Sequence, residues 1–204
     1  MGSSFGSHPR KRITMSQNFL FNASFHLFLT KIDQEFANTI KQQGCPCGGQ
    51  LHQADYPRSP FGLPAQFRDK YDERFSFCCA ICRKRITPQS VRFFGRRWFP
   101  APLLLLISVL TLGVNKRRCA QVRRHFGIAI SESTWRRWRR WWHESFITTP
   151  FWQQAKGLFP PTDQLMQDSF PRVLLNIFKG KIAEKMILLL RFFAPLTAGI
   201  LRAV

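Results

Sequence analysis

Five of the six cysteines fall within 38 residues, at Cys45, Cys47, Cys78, Cys79 and Cys82. The first pair stands in GCPCGG, and the second group in FSFCCAIC, followed by Arg83-Lys84-Arg85. Two close pairs, each in a tight turn and separated by a loop, can bring four thiolates to one cation in a tetrahedron. Gly48 and Gly49 permit the first turn, and Phe77 suits a strand entering the second. The spacing therefore predicts a small β zinc ribbon with structural Zn2+ held by Cys45, Cys47, Cys79 and Cys82. Two alternatives stay open: Cys78 in place of Cys79, and His52 in place of one sulfur. The first pair is C-x-C, tighter than the usual C-x2-C. Catalytic zinc needs an open position beside an acid–base group. Asp72 and Glu73 lie near in sequence, but the H-x-E…P-C-x-x-C pattern of zinc deaminases is missing. Cys119 stands alone and reads as a core residue.

The second group with chemistry is SESTWRRWRRWWHESF, residues 131–146, with four tryptophans and four arginines between Trp135 and Trp142. On a helix, Trp135, Trp138 and Trp142 fall at i, i+3 and i+7 and form one apolar stripe. Arg136, Arg137, Arg139 and Arg140 flank and oppose it. Guanidinium forks match phosphate and guanine edges in bidentate geometry.

These residues need elements to hold them, and the apolar pattern supplies a mainly α chain. Residues 1–14 are polar and basic and read as disordered; residues 15–43 form an N-terminal helical segment, periodic from Phe19 to Ile40. Residues 44–92 contain the ribbon, with Pro57, Pro60 and Pro64 marking a loop inside it. Residues 93–148 hold three helix patterns, and residues 149–204 a C-terminal helical segment broken at Pro160-Pro161. The fourteen-residue apolar run APLLLLISVLTLGV is too short for a bilayer span and reads as a buried helix.

Within residues 93–148 the order is a support helix from Leu103, a basic helix over Asn115 to Phe126, a turn at Gly127, and a helix capped by Ser131. That is the order of a DNA-reading helix-turn-helix bundle. Val122 and Phe126 are expected to pack on Trp135 and Trp138. The groove would meet Glu132, Ser133, Arg136, Arg137, Arg139 and Arg140, while Arg117, Arg118, Arg123 and Arg124 hold phosphates.

The cysteine groups, the apolar helix and WRRWRRWW, over roughly residues 44–160, resemble short bacterial transposase-like or mobile-element proteins. The motif order is similar to the N-terminal DNA-binding part of insertion-sequence transposases. The resemblance implies binding to element DNA, with Cys45, Cys47, Cys79 and Cys82 as metal ligands.

Charge agrees with a polyanion partner. There are 31 Lys+Arg against 11 Asp+Glu, a net of +20. Between Arg83 and His143 fifteen cations meet one acid, Glu132, and so long a block suggests a binding face. Catalysis finds little support. After the helix-turn-helix only Asp163, Asp168 and Glu184 are acidic, in too little chain for a two-metal transposase domain, and no phosphate loop occurs. The expected function is non-catalytic, sequence-specific binding of double-stranded DNA. The alternatives are the DNA-binding part of a transposase or nuclease whose catalytic centre is truncated or supplied by a transposase partner, and RNA binding. No secretory signal pattern opens the chain, so a cytoplasmic, nucleoid-associated protein is expected. If the apolar C-terminal tail is exposed it predicts a homodimer; if not, it closes the core.

Overall fold

The computed structural model describes residues 17–63, 65–94, 100–110, 116–126, 130–159 and 170–201. In chain order the elements are α1 (Ala23–Gln43), β1 (Leu51–Gln53), β2 (Tyr56–Pro57), β3 (Glu73–Arg74), β4 (Phe77–Cys79), β5 (Arg85–Thr87), α2 (Ala101–Leu110), α3 (Lys116–Phe126), α4 (Glu132–Arg140), α5 (Pro150–Ala155), α6 (Phe170–Ile177), α7 (Ile182–Phe193) and β6 (Gly199–Leu201). The chain is mostly helical with two small antiparallel sheets, as its pattern predicts. The expectations for residues 1–14, for the Gly127 turn and for Asp163 and Asp168 fall outside the described residues, as do the side chains of Val122 and Phe126.

α1 starts later than its periodicity suggests. A short 3-10 turn, Gln17–Phe21, precedes it, and Asn22 then caps it by accepting from Ser24 N–H at 2.8 Å. The buried stripe of α1 is Phe25, His26, Leu29, Ile32, Asp33 and Ala37. Phe21, Leu27 and Phe28, which the apolar pattern would also place inward, are exposed. His26 is held neutral by burial, which lowers its pKa although the Leu20 carbonyl pulls the other way. Its ring links Leu20 O (2.8 Å) to the Tyr71 hydroxyl (2.9 Å).

The larger sheet has strand order β1-β4-β5-β6, with Leu51 opposite Cys79 and Phe77 opposite Ile86. Its fourth strand comes from the C-terminal segment, which the sequence pattern reads as helical: β6 pairs with β5, Thr87 facing Gly199. A small core of Ala37, Leu51, Phe77 and Ile86 joins the end of α1 to this sheet.

The main core draws side chains from nearly the whole chain, including Leu29, Leu105, Trp138, Phe146, Leu174 and Phe193. α2 packs against α6 and α7. Met186, Leu189, Leu190 and Phe193 of α7 are buried, so this tail closes the core. α4 runs on into a π-helical turn, Trp141–Ser145, closed by Phe146 N–H to Trp141 O at 2.8 Å. The wide turn brings the Phe146 ring to 5.2 Å from Trp142, and both rings reach Phe193, at 5.5 and 5.0 Å. No described helix is long and apolar enough to cross a membrane.

A buried polar junction ties these parts together. Asp33 accepts from Ser90 Oγ (2.5 Å), Val91 N–H (2.7 Å) and Arg92 Nε (2.8 Å). Arg92 also donates to the Lys70 and Glu73 carbonyls. Arg74 donates to Pro88 O (2.6 Å) and Thr197 O (3.2 Å), and Ser90 N–H reaches Thr197 Oγ1 at 2.7 Å. Arg92, counted by sequence among the cations of the basic block, is therefore an internal strut, 3% exposed.

Candidate metal centre and nucleic-acid interface

The chain around Cys45 turns because of its glycines. Gly44 (φ 72°) ends α1 in a left-handed conformation, with its N–H on Ile40 O. Gly48 (φ 80°) follows Cys47 and donates to Cys45 O at 2.8 Å. Gly49 is required by proximity: a Cβ there would lie 2.5 Å from Cys79 Sγ. The second turn leaves β4 at Cys79 and returns at Arg83, whose N–H donates to Cys79 O at 3.1 Å.

These turns bring Cys45, Cys47, Cys79 and Cys82 together, with all four sulfurs within 4.8 Å of one another, an arrangement that can hold a metal ion. Sγ–Sγ separations are 3.4 Å for Cys45–Cys47 and 3.5 Å for both Cys45–Cys82 and Cys47–Cys79. The C-x-C spacing of the first pair does not prevent convergence. Cys78, one residue before Cys79 on β4, lies outside the cluster with its sulfur toward the Arg83 carbonyl, 3.7 Å away. His52 is exposed and also lies outside it. None of the six cysteines is in a disulfide.

Backbone amides set the charge order among the sulfurs. The Cys82 amide, then that of Ile81, holds the Cys79 thiol down to about 6 against the cost of desolvation. The Gly49 amide lowers Cys47. For Cys45 the Cys47 amide pulls down, but desolvation and the neighbouring sulfurs together push it up to about 12. Four thiols this close cannot all ionise unaided, whereas a bound cation lets them.

Ser131 caps α4 through Thr134 N–H, and Trp135 and Trp138 on α4 and Trp142 in the π-helical turn that continues it are buried at 2–3% exposure. Arg136, Arg137 and Arg140 are exposed on the other side, with Ser133, while Arg139 is half-buried. Two arginines have acids one turn on or back: Arg136 to Glu132 at 3.0 Å and Arg140 to Glu144 at 4.0 Å. On α3, Arg117, Arg123 and Arg124 are exposed; the Arg118 side chain lies outside the described residues. On α3, burial raises the Cys119 thiol pKa, and the Glu132 charge adds to the rise. Glu184 is accounted for by local structure, accepting from Lys181 N–H at 2.9 Å at the start of α7. Comparison with protein-family models, with curated proteins and with solved structures finds no match to this chain.

Proposed function

We propose that this chain is a non-catalytic, sequence-specific binder of double-stranded DNA, built from a zinc ribbon and a helix-turn-helix. The observation that carries the reading is the division of α4: its tryptophans face the core while Arg136, Arg137 and Arg140 face outward. The stripe fixes the rotation of the helix, so the guanidinium groups form a pre-set row for phosphates and base edges. Arg117, Arg123 and Arg124, exposed on α3, supply further cations for the phosphate backbone. The resemblance to mobile-element proteins gives the setting, transposition or regulation of such an element.

Zinc suits the cysteine cluster. Sulfurs around a tetrahedral zinc, with Zn–S of about 2.3 Å, stand about 3.8 Å apart, close to the 3.4 and 3.5 Å seen between these thiols. Four sulfurs complete the coordination, so the metal would have a structural role, joining the turn after α1 to the turn after β4. Burial of Trp135, Trp138, Trp142 and Trp152 speaks against stacking of single-stranded bases on them.

The test is equilibrium binding of metal-loaded protein to duplex DNA, single-stranded DNA and RNA of equal length across a salt series. Duplex preference with a steep salt slope is expected. Preference for either single strand would sink the reading.

A further inference from the structure

The two cysteine turns place a left-handed residue at the same point, directly after their second cysteine. In the first turn it is Gly48, φ 80°; in the second it is Arg83, φ 58°. Left-handed backbone favours glycine and strains other residues. Arg83 is the one non-glycine with positive φ among the described residues. The fold thus carries an arginine where glycine would sit more easily, and that cost needs a compensating role for the side chain.

The surroundings indicate the role. Arg83 and Lys84 are exposed, and among the described residues neither pairs with a carboxylate. Arg85, the third cation of the run, turns inward: it donates to Ala54 O at 2.8 Å and lies over the Tyr56 ring. Ile81 protrudes between the cysteines at 71% exposure, braced against Gly49, where a Cβ would meet it at 3.1 Å. No Asp or Glu occurs in 44–54 or 75–87, the stretches that build this tip. A rigid apolar knob with two free cations and no acid is complementary to a phosphate backbone.

We propose that Ile81, Arg83 and Lys84 form a second contact to duplex DNA, in addition to that made by α4. Arg83 and Lys84 neutralise phosphates, and Ile81 packs on the neighbouring sugar. The inference rests on the DNA-binding reading above, and the test separates the two.

The test compares the parent chain with Arg83→Gly/Lys84→Gln, metal content being measured on each sample. Glycine suits the left-handed position, so the turn and the metal are retained while both charges go. Each phosphate contact contributes about 0.9 to the slope of log affinity against log salt, so the variant's slope should be shallower by about 1.8. Arg83→Lys combined with Lys84→Gln, which keeps one charge, should restore half of that difference, and Ile81→Ser should weaken binding with the slope unchanged. A parent that binds duplex DNA with the same slope as the double variant overturns the second contact and leaves the α4 reading standing. A parent that does not prefer duplex DNA overturns both. If the double variant loses metal, Lys84→Gln alone, with an expected change of about 0.9, decides the question.

Discussion

Arg92 Nε donates to Asp33 Oδ2 at 2.8 Å, with the side chains of both residues buried. The pair joins α1 to the 88–92 segment that leads into the helical core. Asp33 is saturated by three donors at 2.5–2.8 Å, so its charge is solvated by the protein instead of by water.

Removing one side of that pair leaves a buried charge without its counter-charge. Asp33→Ala should destabilise the chain by about 3–5 kcal/mol, which for a chain of this size lowers Tm by about 2–4 °C per kcal/mol. Thermal or urea unfolding measures it. A loss below about 1 kcal/mol, the range of exposed ion pairs, would show that the junction is wetter than described.

Metal content separates the two adjacent cysteines. Cys79→Ser should abolish stoichiometric metal, because Cys79 lies in the four-sulfur cluster, whereas Cys78→Ser should retain it. Elemental analysis after gel filtration decides, and retention by Cys79→Ser would break the assignment. Gly49→Ala should also lose metal, since its Cβ has no room beside Cys79 Sγ.

Protons compete with metal at the same sulfurs. Cys79, held down to about 6, is already ionised at neutral pH, and Cys45, pushed up to about 12, is not. Loading at neutral pH should therefore release protons, Cys45 among their sources. Retention against a chelator should fall from about pH 8 to about pH 5, because Cys45 must give up its proton to bind, and more steeply below about 6, where Cys79 is protonated as well. Retention unchanged between about pH 8 and about pH 5 would contradict this order of ionisation.

The two faces of α4 should separate stability from binding. Trp142→Ala, deleting a ring packed on Phe146 and Phe193, should cost about 3–5 kcal/mol. Arg136→Gln with Arg137→Gln should change stability by about 0.5 kcal/mol or less, yet weaken specific duplex binding more than non-specific binding. Equal loss on both kinds of DNA would remove α4 as the reading helix.

Much of this was legible in the chain. Cysteine spacing picked out the four sulfurs that converge, and tryptophan periodicity gave the inward face of α4, because both patterns are local and a helix or turn expresses them directly. Proton chemistry within the cluster was not legible, since it depends on which amides point at which sulfur. The buried charges were also missed. Asp33 lies within the stripe Phe25, Leu29, Ile32 and Ala37 of α1, and its position there was the available signal. An acid in a sequence reads as solvated until its partners are found, and these lie 57 to 59 residues away. The basic block divided for the same reason: Arg92 had internal carbonyls and a carboxylate to satisfy, so it does not join a surface.

The Ser90–Thr197 hydrogen bond spans 107 residues. During synthesis Asp33, Ser90 and Arg92 leave the ribosome long before Thr197, so Ser90 N–H and the Arg74 guanidinium wait without their last acceptors. Closing so long a loop is entropically costly and slow compared with making a helix turn. The cysteine turns can form early, from residues close in sequence, whereas the junction beside them is finished late. A nascent chain arrested before residue 194 should hold its cysteine turns in a sheet still open along β5, and locking of that unit onto the helical core waits for Thr197 and β6.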